Sequence, residues 1–204
     1  MADEVKTTLV DLIRHGEPEG GPMFRGGKDD PLSELGWQQM NAAIGKDEKW
    51  DCILTSPLQR CIRFAETMGE RYGIPVHTDD RLREIGFGEW EGLTAEAIAE
   101  RYGKRRLALF WADASTNPPP GGEPFADFQS RVQTAWDMWT ERLAGQRVLL
   151  VCHGGVVRVS LAHVMGISRE RVLSAMLVPY ACRSRVRLDH SEHGTLSCLV
   201  SHGL

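Results

Sequence analysis

The sequence predicts an α/β fold with a mostly parallel central sheet, and three stretches carry that prediction. Leu9-Val10-Asp11-Leu12-Ile13, Cys52-Ile53-Leu54 and Val148-Leu149-Leu150-Val151-Cys152 are short, largely apolar runs of the kind that fills a strand buried on both faces. Each gives way to polar or glycine-rich residues and then to a segment with apolar residues at helical spacing. Strands and helices that alternate in this way pack as a sheet with helices on its faces.

At 204 residues the chain can bury one good core and is short for two. The expected organisation is one domain over 1–204, with a lid-like excursion at about 81–121. A formal net charge of -4 gives no general attraction for nucleic acid or an anionic membrane, so any anion site must be a local concentration of arginine. No apolar run reaches membrane-spanning length, and the acidic start Met1-Ala2-Asp3-Glu4 is not followed by a signal-type apolar core. Cys52, Cys61, Cys152, Cys182 and Cys198 are odd in number and mostly embedded in apolar segments, the pattern of reduced core cysteines in a cytoplasmic protein.

The first strand ends abruptly in Arg14-His15-Gly16-Glu17. Open α/β sheets bind ligands just beyond the carboxyl ends of their strands, and a glycine there lets backbone pass close to a small anion. A polar, glycine-rich loop with Arg25 fills 18–31, and Ser33 caps a helix running to about Ile44. The second strand lies within 50–56. Ser56-Pro57 then offers a cap followed by proline at a first helical position. Leu58, Cys61, Ile62, Ala65, Met68 and Tyr72 form that helix's apolar stripe, and Arg60 lies off the stripe in the opening turn. Helical side chains lean toward the N-terminus, so Arg60 can reach back over the strand's end.

A short strand is expected at 75–77, and the irregular stretch 81–121 leaves the sheet as a lid. Phe125, Phe128, Val132, Ala135, Trp136, Trp139 and Leu143 mark a long helix that Gly145 stops. The strand at 147–152 ends in His153-Gly154-Gly155 before another apolar helix, and 182–188 with 195–200 read as an edge hairpin.

Three strand ends therefore carry Arg14-His15-Gly16, Ser56-Pro57 with Arg60 behind it, and His153-Gly154-Gly155. In parallel neighbours, two imidazoles and two guanidiniums meet at one sheet edge, where two helix N-termini also point. Cations so close repel one another unless a dianion sits among them, and arginine's paired donors match phosphate oxygens. The same cations disfavour a charged imidazole, which keeps His15 neutral and nucleophilic. A carbonyl holding one ring N–H leaves the other nitrogen to attack phosphorus, giving a phosphohistidine. His153 and the arginines would hold the equatorial oxygens as charge builds. The leaving oxygen needs a proton from a carboxylic acid, for which Glu17, Glu84, Glu89 and Glu91 compete.

Arg14-His15-Gly16, Ser56-Pro57-Leu58-Gln59-Arg60, Leu82-Arg83-Glu84 with Phe87-Gly88-Glu89-Trp90-Glu91-Gly92, and His153-Gly154-Gly155 together resemble the histidine phosphatase superfamily, the phosphoglycerate mutase-like proteins. The resemblance spans nearly the whole chain. It implies a three-layer α/β/α sandwich, His15 as the phosphorylated nucleophile, Arg14, Arg60 and His153 as phosphate ligands, Gly154 beside them, and Glu84 as proton donor, with no metal and no cofactor. Within the family, 24–33 and Pro119-Pro120-Gly121-Gly122-Glu123 resemble the alpha-ribazole phosphatases of cobalamin assembly, which implies a contact from Arg25 to phosphate or ribose. The alternative in the same family is a broader sugar or phosphoglycerate phosphatase or mutase. Gly20-Gly21 departs from the family, many of whose members carry an asparagine there. The expected partner is a small phosphomonoester, with homodimer formation left open.

Phe87, Trp90, Phe110 and Trp111 in the lid could wall a flat leaving group or simply fix the lid to the sheet. Cys152-His153-Gly154-Gly155-Val156-Val157-Arg158 fits the C-x5-R skeleton of cysteine-dependent phosphatases, but adjacent strand residues face opposite ways, so Cys152 and His153 should not share a pocket. A phosphate-binding module without turnover would need a missing nucleophile or acid, and neither is missing. His190 and His193 with Asp189 and Glu192 fit a polar turn better than a metal site.

Overall fold

The structure is a computed structural model and describes residues 5–45 and 48–203, so the acidic start at 1–4 lies outside the described residues. Six strands form one sheet in the order β3-β2-β4-β1-β5-β6. β1 (Lys6–Arg14), β2 (Cys52–Thr55), β3 (Val76–Thr78) and β4 (Arg147–Cys152) run parallel, while β5 (Arg183–Ser191) and β6 (Gly194–His202) form the antiparallel hairpin. Ile13 pairs with Val151 and Thr55 pairs with the same Val151, so β1, β4 and β2 end together at one sheet edge.

Alternation along the central strands sorts the core into two layers. Val10, Leu12, Leu54 and Leu150 face α5 (Phe125–Arg142) and α6 (Gly154–Met165), whereas Ile13, Ile53, Leu149 and Val151 face α1 (Glu34–Ala43) and α2 (Gln59–Tyr72). The result is the three-layer α/β/α arrangement. Asp11, the one charge in the first apolar run, is buried between Trp50 Nε1 at 2.8 Å and the guanidiniums of Arg183 and Arg185.

The stretch 81–121 leaves the sheet after β3. It carries α3 (Ala95–Tyr102), α4 (Lys104–Ala112) and two short 3-10 turns. Trp90, Ile98 and Phe110 within it are fully buried in the same core as Phe128 and Val132 of α5, so this segment is packed down and not loosely hinged.

Ser33 caps α1 as expected, its Oγ accepting from Gly36 N at 3.0 Å. The cap expected at Ser56-Pro57 is different. α2 begins at Gln59, and Ser56 Oγ instead shares a 2.7 Å hydrogen bond with His153 Nε2, because the serine ends a strand that abuts β4. Cys198 also departs from the expected core placement: it lies exposed on the edge strand β6, whereas the other four free cysteines are buried. Among the described residues, no helix is long and apolar enough to cross a membrane.

Candidate active site

The in-register strand ends bring His15 and His153 together, their rings edge to face with centroids 5.2 Å apart. His15 Nδ1 donates to the Gly16 carbonyl at 2.7 Å, which leaves Nε2 with its lone pair free. Gly16 has no alternative here, since a Cβ would overlap the Gly36 carbonyl of α1. Burial, then the charges of Arg14 and Arg60, hold the His15 pKa well below the usual imidazole value. His153 stands at the N-cap of α6, fully buried, with Cys61 Sγ 3.7 Å from its Nε2. Burial, then Arg60, His15 and Arg14, push its pKa down in the same direction. Both imidazoles are neutral in this setting.

Arg14 donates from Nη1 to the Val178 carbonyl at 2.7 Å, and its guanidinium lies over the Tyr180 ring, 4.3 Å from the centroid. Arg60 is fully buried behind the cavity wall, and its two Nη groups donate to the carbonyls of Lys28, Arg25 and Gly26. The Nε atoms of Arg14 and Arg60 are both buried without an acceptor among the described residues. Buried donors of this kind are costly unless an acceptor reaches them, and an oxyanion between the two arginines would supply one. Gly154 opens α6 at the same spot, where a Cβ would sit 3.3 Å from Arg14 Nε and 3.1 Å from Arg158 Nη1.

Arg25 lines the same cavity, but its guanidinium is engaged by its own loop: Nε with Asp30 at 2.7 Å, Nη1 with Gly21 O at 2.7 Å and Nη2 with Glu19 O at 2.5 Å. Gly20 and Gly21 both have positive φ, 82° and 72°, which turns the Gly21 carbonyl into that contact. The helix N-termini are likewise shared with the chain's own carboxylates. Asp29 accepts from Gln59 N of α2 at 2.6 Å, and Glu84 accepts from Gly155 N of α6 at 3.0 Å.

Of the four competing glutamates, Glu84 is the one on the cavity wall. Its Oε1 accepts from Ile85 N and its Oε2 from Gly155 N, both at 3.0 Å, so the carboxylate bridges the lid segment and α6. Glu91 instead ties the loops together through Gly27 N, Lys28 N and Phe87 N, and Glu89 accepts from the Tyr102 hydroxyl. Arg131 of α5, which no sequence motif singles out, organises the Glu84 segment. It donates to the carbonyls of Arg81, Arg83 and Glu84 and pairs through two nitrogens with Glu123.

A cavity of about 410 Å³ is lined by Arg14, His15, Arg25, Glu84 and Gly154, while His153 and Arg60 lie fully buried behind its wall. Phe24, Phe87, Phe110 and Trp111 line its lid side, while Trp90 packs behind Phe24 and Phe110 and does not reach it. Tyr180 and Arg158 also line it, the first not singled out by the sequence and the second only as the arginine of the C-x5-R skeleton. Arg158 Nε donates to Met176 O at 3.3 Å and the guanidinium stands 5.7 Å from the Trp111 ring centroid, with no acceptor for its Nη groups among the described residues. Cys152 is fully buried off the cavity, and burial pushes its thiol well above the usual range, so it is no thiolate nucleophile.

The sequence model of the histidine phosphatase superfamily (branch 1) matches residues 10–200. A bifunctional protein of Mycobacterium tuberculosis is 36% identical over 159 residues, 76% of this chain, and the chain spans 43% of that protein's length. Glucosyl-3-phosphoglycerate phosphatase of Mycolicibacterium vanbaalenii is 33% identical over 167 residues, covering 76% of this chain and 73% of the relative. The solved mycobacterial glucosyl-3-phosphoglycerate phosphatase superposes with a TM-score of 0.81 at 26% identity, over 98% of this chain and 99% of that one. The alpha-ribazole phosphatase from Shigella flexneri superposes with a TM-score of 0.76 at 25% identity, over 94% of this chain and 95% of that one.

Proposed function

The chain belongs to the histidine phosphatase superfamily, and from that membership we propose that it is a phosphomonoesterase that works through a phosphohistidine on His15. The reading is carried by one observation: two imidazoles 5.2 Å apart, flanked by two guanidiniums whose buried Nε atoms have no acceptor among the described residues. His15 Nε2 attacks phosphorus as the ester oxygen departs. Arg14, Arg60, His153 and the opening turn of α6 at Gly154 hold the equatorial oxygens. Glu84 gives its proton to the leaving oxygen. In the second half, water attacks the phosphohistidine, Glu84 takes a proton from it, and phosphate leaves with His15 neutral again. One catalytic domain bearing the 81–121 segment as its substrate-side wall is part of this reading, as is a reducing cytoplasmic setting for the five free cysteines.

The aromatic side of the cavity, with Arg25 on the same wall, supports a flat-ringed leaving group such as that of alpha-ribazole 5'-phosphate, in line with the likeness to the Shigella flexneri structure. A sugar or phosphoglycerate monoester is the second reading, favoured by the unengaged Nη groups of Arg158 and by the 33% identical glucosyl-3-phosphoglycerate phosphatase. p-Nitrophenyl phosphate turnover, inhibited by orthovanadate, tests the chemistry. His15→Ala should abolish it and Cys152→Ser should leave it largely intact, whereas the reverse pattern contradicts the assignment. Comparing kcat/KM for alpha-ribazole 5'-phosphate, phosphoglycerates and sugar phosphates decides between the leaving groups.

A further inference from the structure

We propose that Tyr180 is a positioning residue for Arg14: its ring face sets the plane of the guanidinium and thereby aims the donors that grip the phosphoryl group. Arg14 ends β1 with its backbone fixed, its N donating to Cys182 O at 3.0 Å. Its guanidinium pairs with no carboxylate among the described residues. Two contacts define its orientation, the Nη1 bond to Val178 O at 2.7 Å and the stack on Tyr180 at 4.3 Å. A single hydrogen bond leaves a planar fork free to swing about it, and an aromatic face removes that freedom without occupying a donor.

The backbone is built to present this ring. Ala181, the next residue, has φ 55°, the one non-glycine residue with positive φ among those described. Its N donates to the His15 carbonyl at 3.2 Å, so the turn that aims Tyr180 is tied to the main chain of the nucleophile. Strained backbone of this sort persists where its surroundings over-determine it, commonly at functional sites. Tyr180 is half-buried, lines the cavity, and stands 5.8 Å from the His15 ring centroid, close enough to hold one side of the site.

The inference rests on the reading of Arg14 as a phosphate ligand, and orthovanadate is a probe that separates the two. Its inhibition constant, with KM and kcat for p-nitrophenyl phosphate, is measured for wild type, Tyr180→Phe, Tyr180→Leu and each change in an Arg14→Ala background. Tyr180→Leu, which keeps apolar bulk but has no ring face, should weaken vanadate about tenfold with little change in melting temperature. Tyr180→Phe should stay within about twofold of wild type. In the Arg14→Ala background the Leu change should add almost nothing. Equal losses from Phe and Leu, an unaltered vanadate constant in Tyr180→Leu, or additive losses with Arg14→Ala would each overturn the proposal. If Tyr180→Leu does not fold, Tyr180→Met gives the same comparison. A wild-type enzyme indifferent to vanadate would remove the phosphate reading itself, and this inference with it.

Discussion

Replacing Glu84 by glutamine separates proton donation from every other role of the side chain. The carboxylate accepts two backbone N–H groups at once, Ile85 N at Oε1 and Gly155 N at Oε2, each at 3.0 Å. Glutamine can meet one of these donors with its oxygen, but its NH2 then faces the other. One hydrogen bond is lost and a donor is set against a donor, a cost of about 1–3 kcal/mol that partial exposure of the site keeps toward the lower end. The melting temperature should therefore fall by a few degrees, roughly 2–4 °C per kcal/mol for a chain of this size.

The kinetic consequence is larger and depends on the substrate. An alkyl phosphate must expel an alkoxide, so losing the acid should lower kcat/KM by about 10²- to 10⁴-fold. Nitrophenolate is a weak base that leaves unaided, and its ester should lose less than about tenfold. The comparison uses kcat/KM because that ratio reports steps up to the first phosphoryl transfer, leaving hydrolysis of the phosphoenzyme aside. Equal losses on the two esters would refute Glu84 as the acid and leave it a structural bridge between the lid segment and α6.

Arg131→Met removes the donors that hold the carbonyls of Arg81, Arg83 and Glu84, so it should lower alkyl-ester turnover about 10²-fold through misplacement of Glu84. In a Glu84→Gln background the same change should have little further effect, and a fully additive loss would show that Arg131 acts elsewhere. Stability should depend on pH in a definite direction. Burial and the neighbouring arginines depress the pKa of His15 and His153 in the folded chain, so below the unfolded value of about 6.5 the unfolded chain binds more protons. The stabilisation is complete above that pH and declines as pH falls, by up to about 1.4 kcal/mol per pH unit for each histidine. Asp11 acts in a separate window: burial raises its pKa, hydrogen bonds from Arg185 and Trp50 together with the charges of Arg183 and Arg185 more than offset this, and its contribution is lost below about pH 4. Urea midpoints that stay level from pH 7 to pH 5 would contradict the histidine assignment.

The sheet was legible because β1, β2 and β4 are buried on both faces, which forces Val10, Leu12, Ile53 and Leu149 to read as continuous apolar runs. Their ends also announced the site, since nothing in a strand's interior explains Arg14-His15 or His153-Gly154. What stayed hidden depends on tertiary contact. Tyr180 meets Arg14 because β5 pairs antiparallel with β1, a relation between distant segments that leaves no local pattern. Arg131 flanks an ordinary helical stripe, and only the fold shows that the carbonyls around Glu84 lie beside it. Ser56 has the form of a helix cap, yet its hydroxyl serves His153, a competition that chemistry local to the turn cannot resolve. Trp90 shares the composition of a cavity wall with Phe87 and Trp111 but packs one layer behind them.

The central claim is that phosphorus passes through the His15 ring. Rapid acid-free quenching during turnover of a radiolabelled phosphomonoester, followed by peptide mapping, tests it most directly. The account predicts a label that survives alkali, is lost in acid, and maps to the peptide containing His15, with none in His15→Ala. A label on Cys152, on Ser56 or on any other side chain would contradict it.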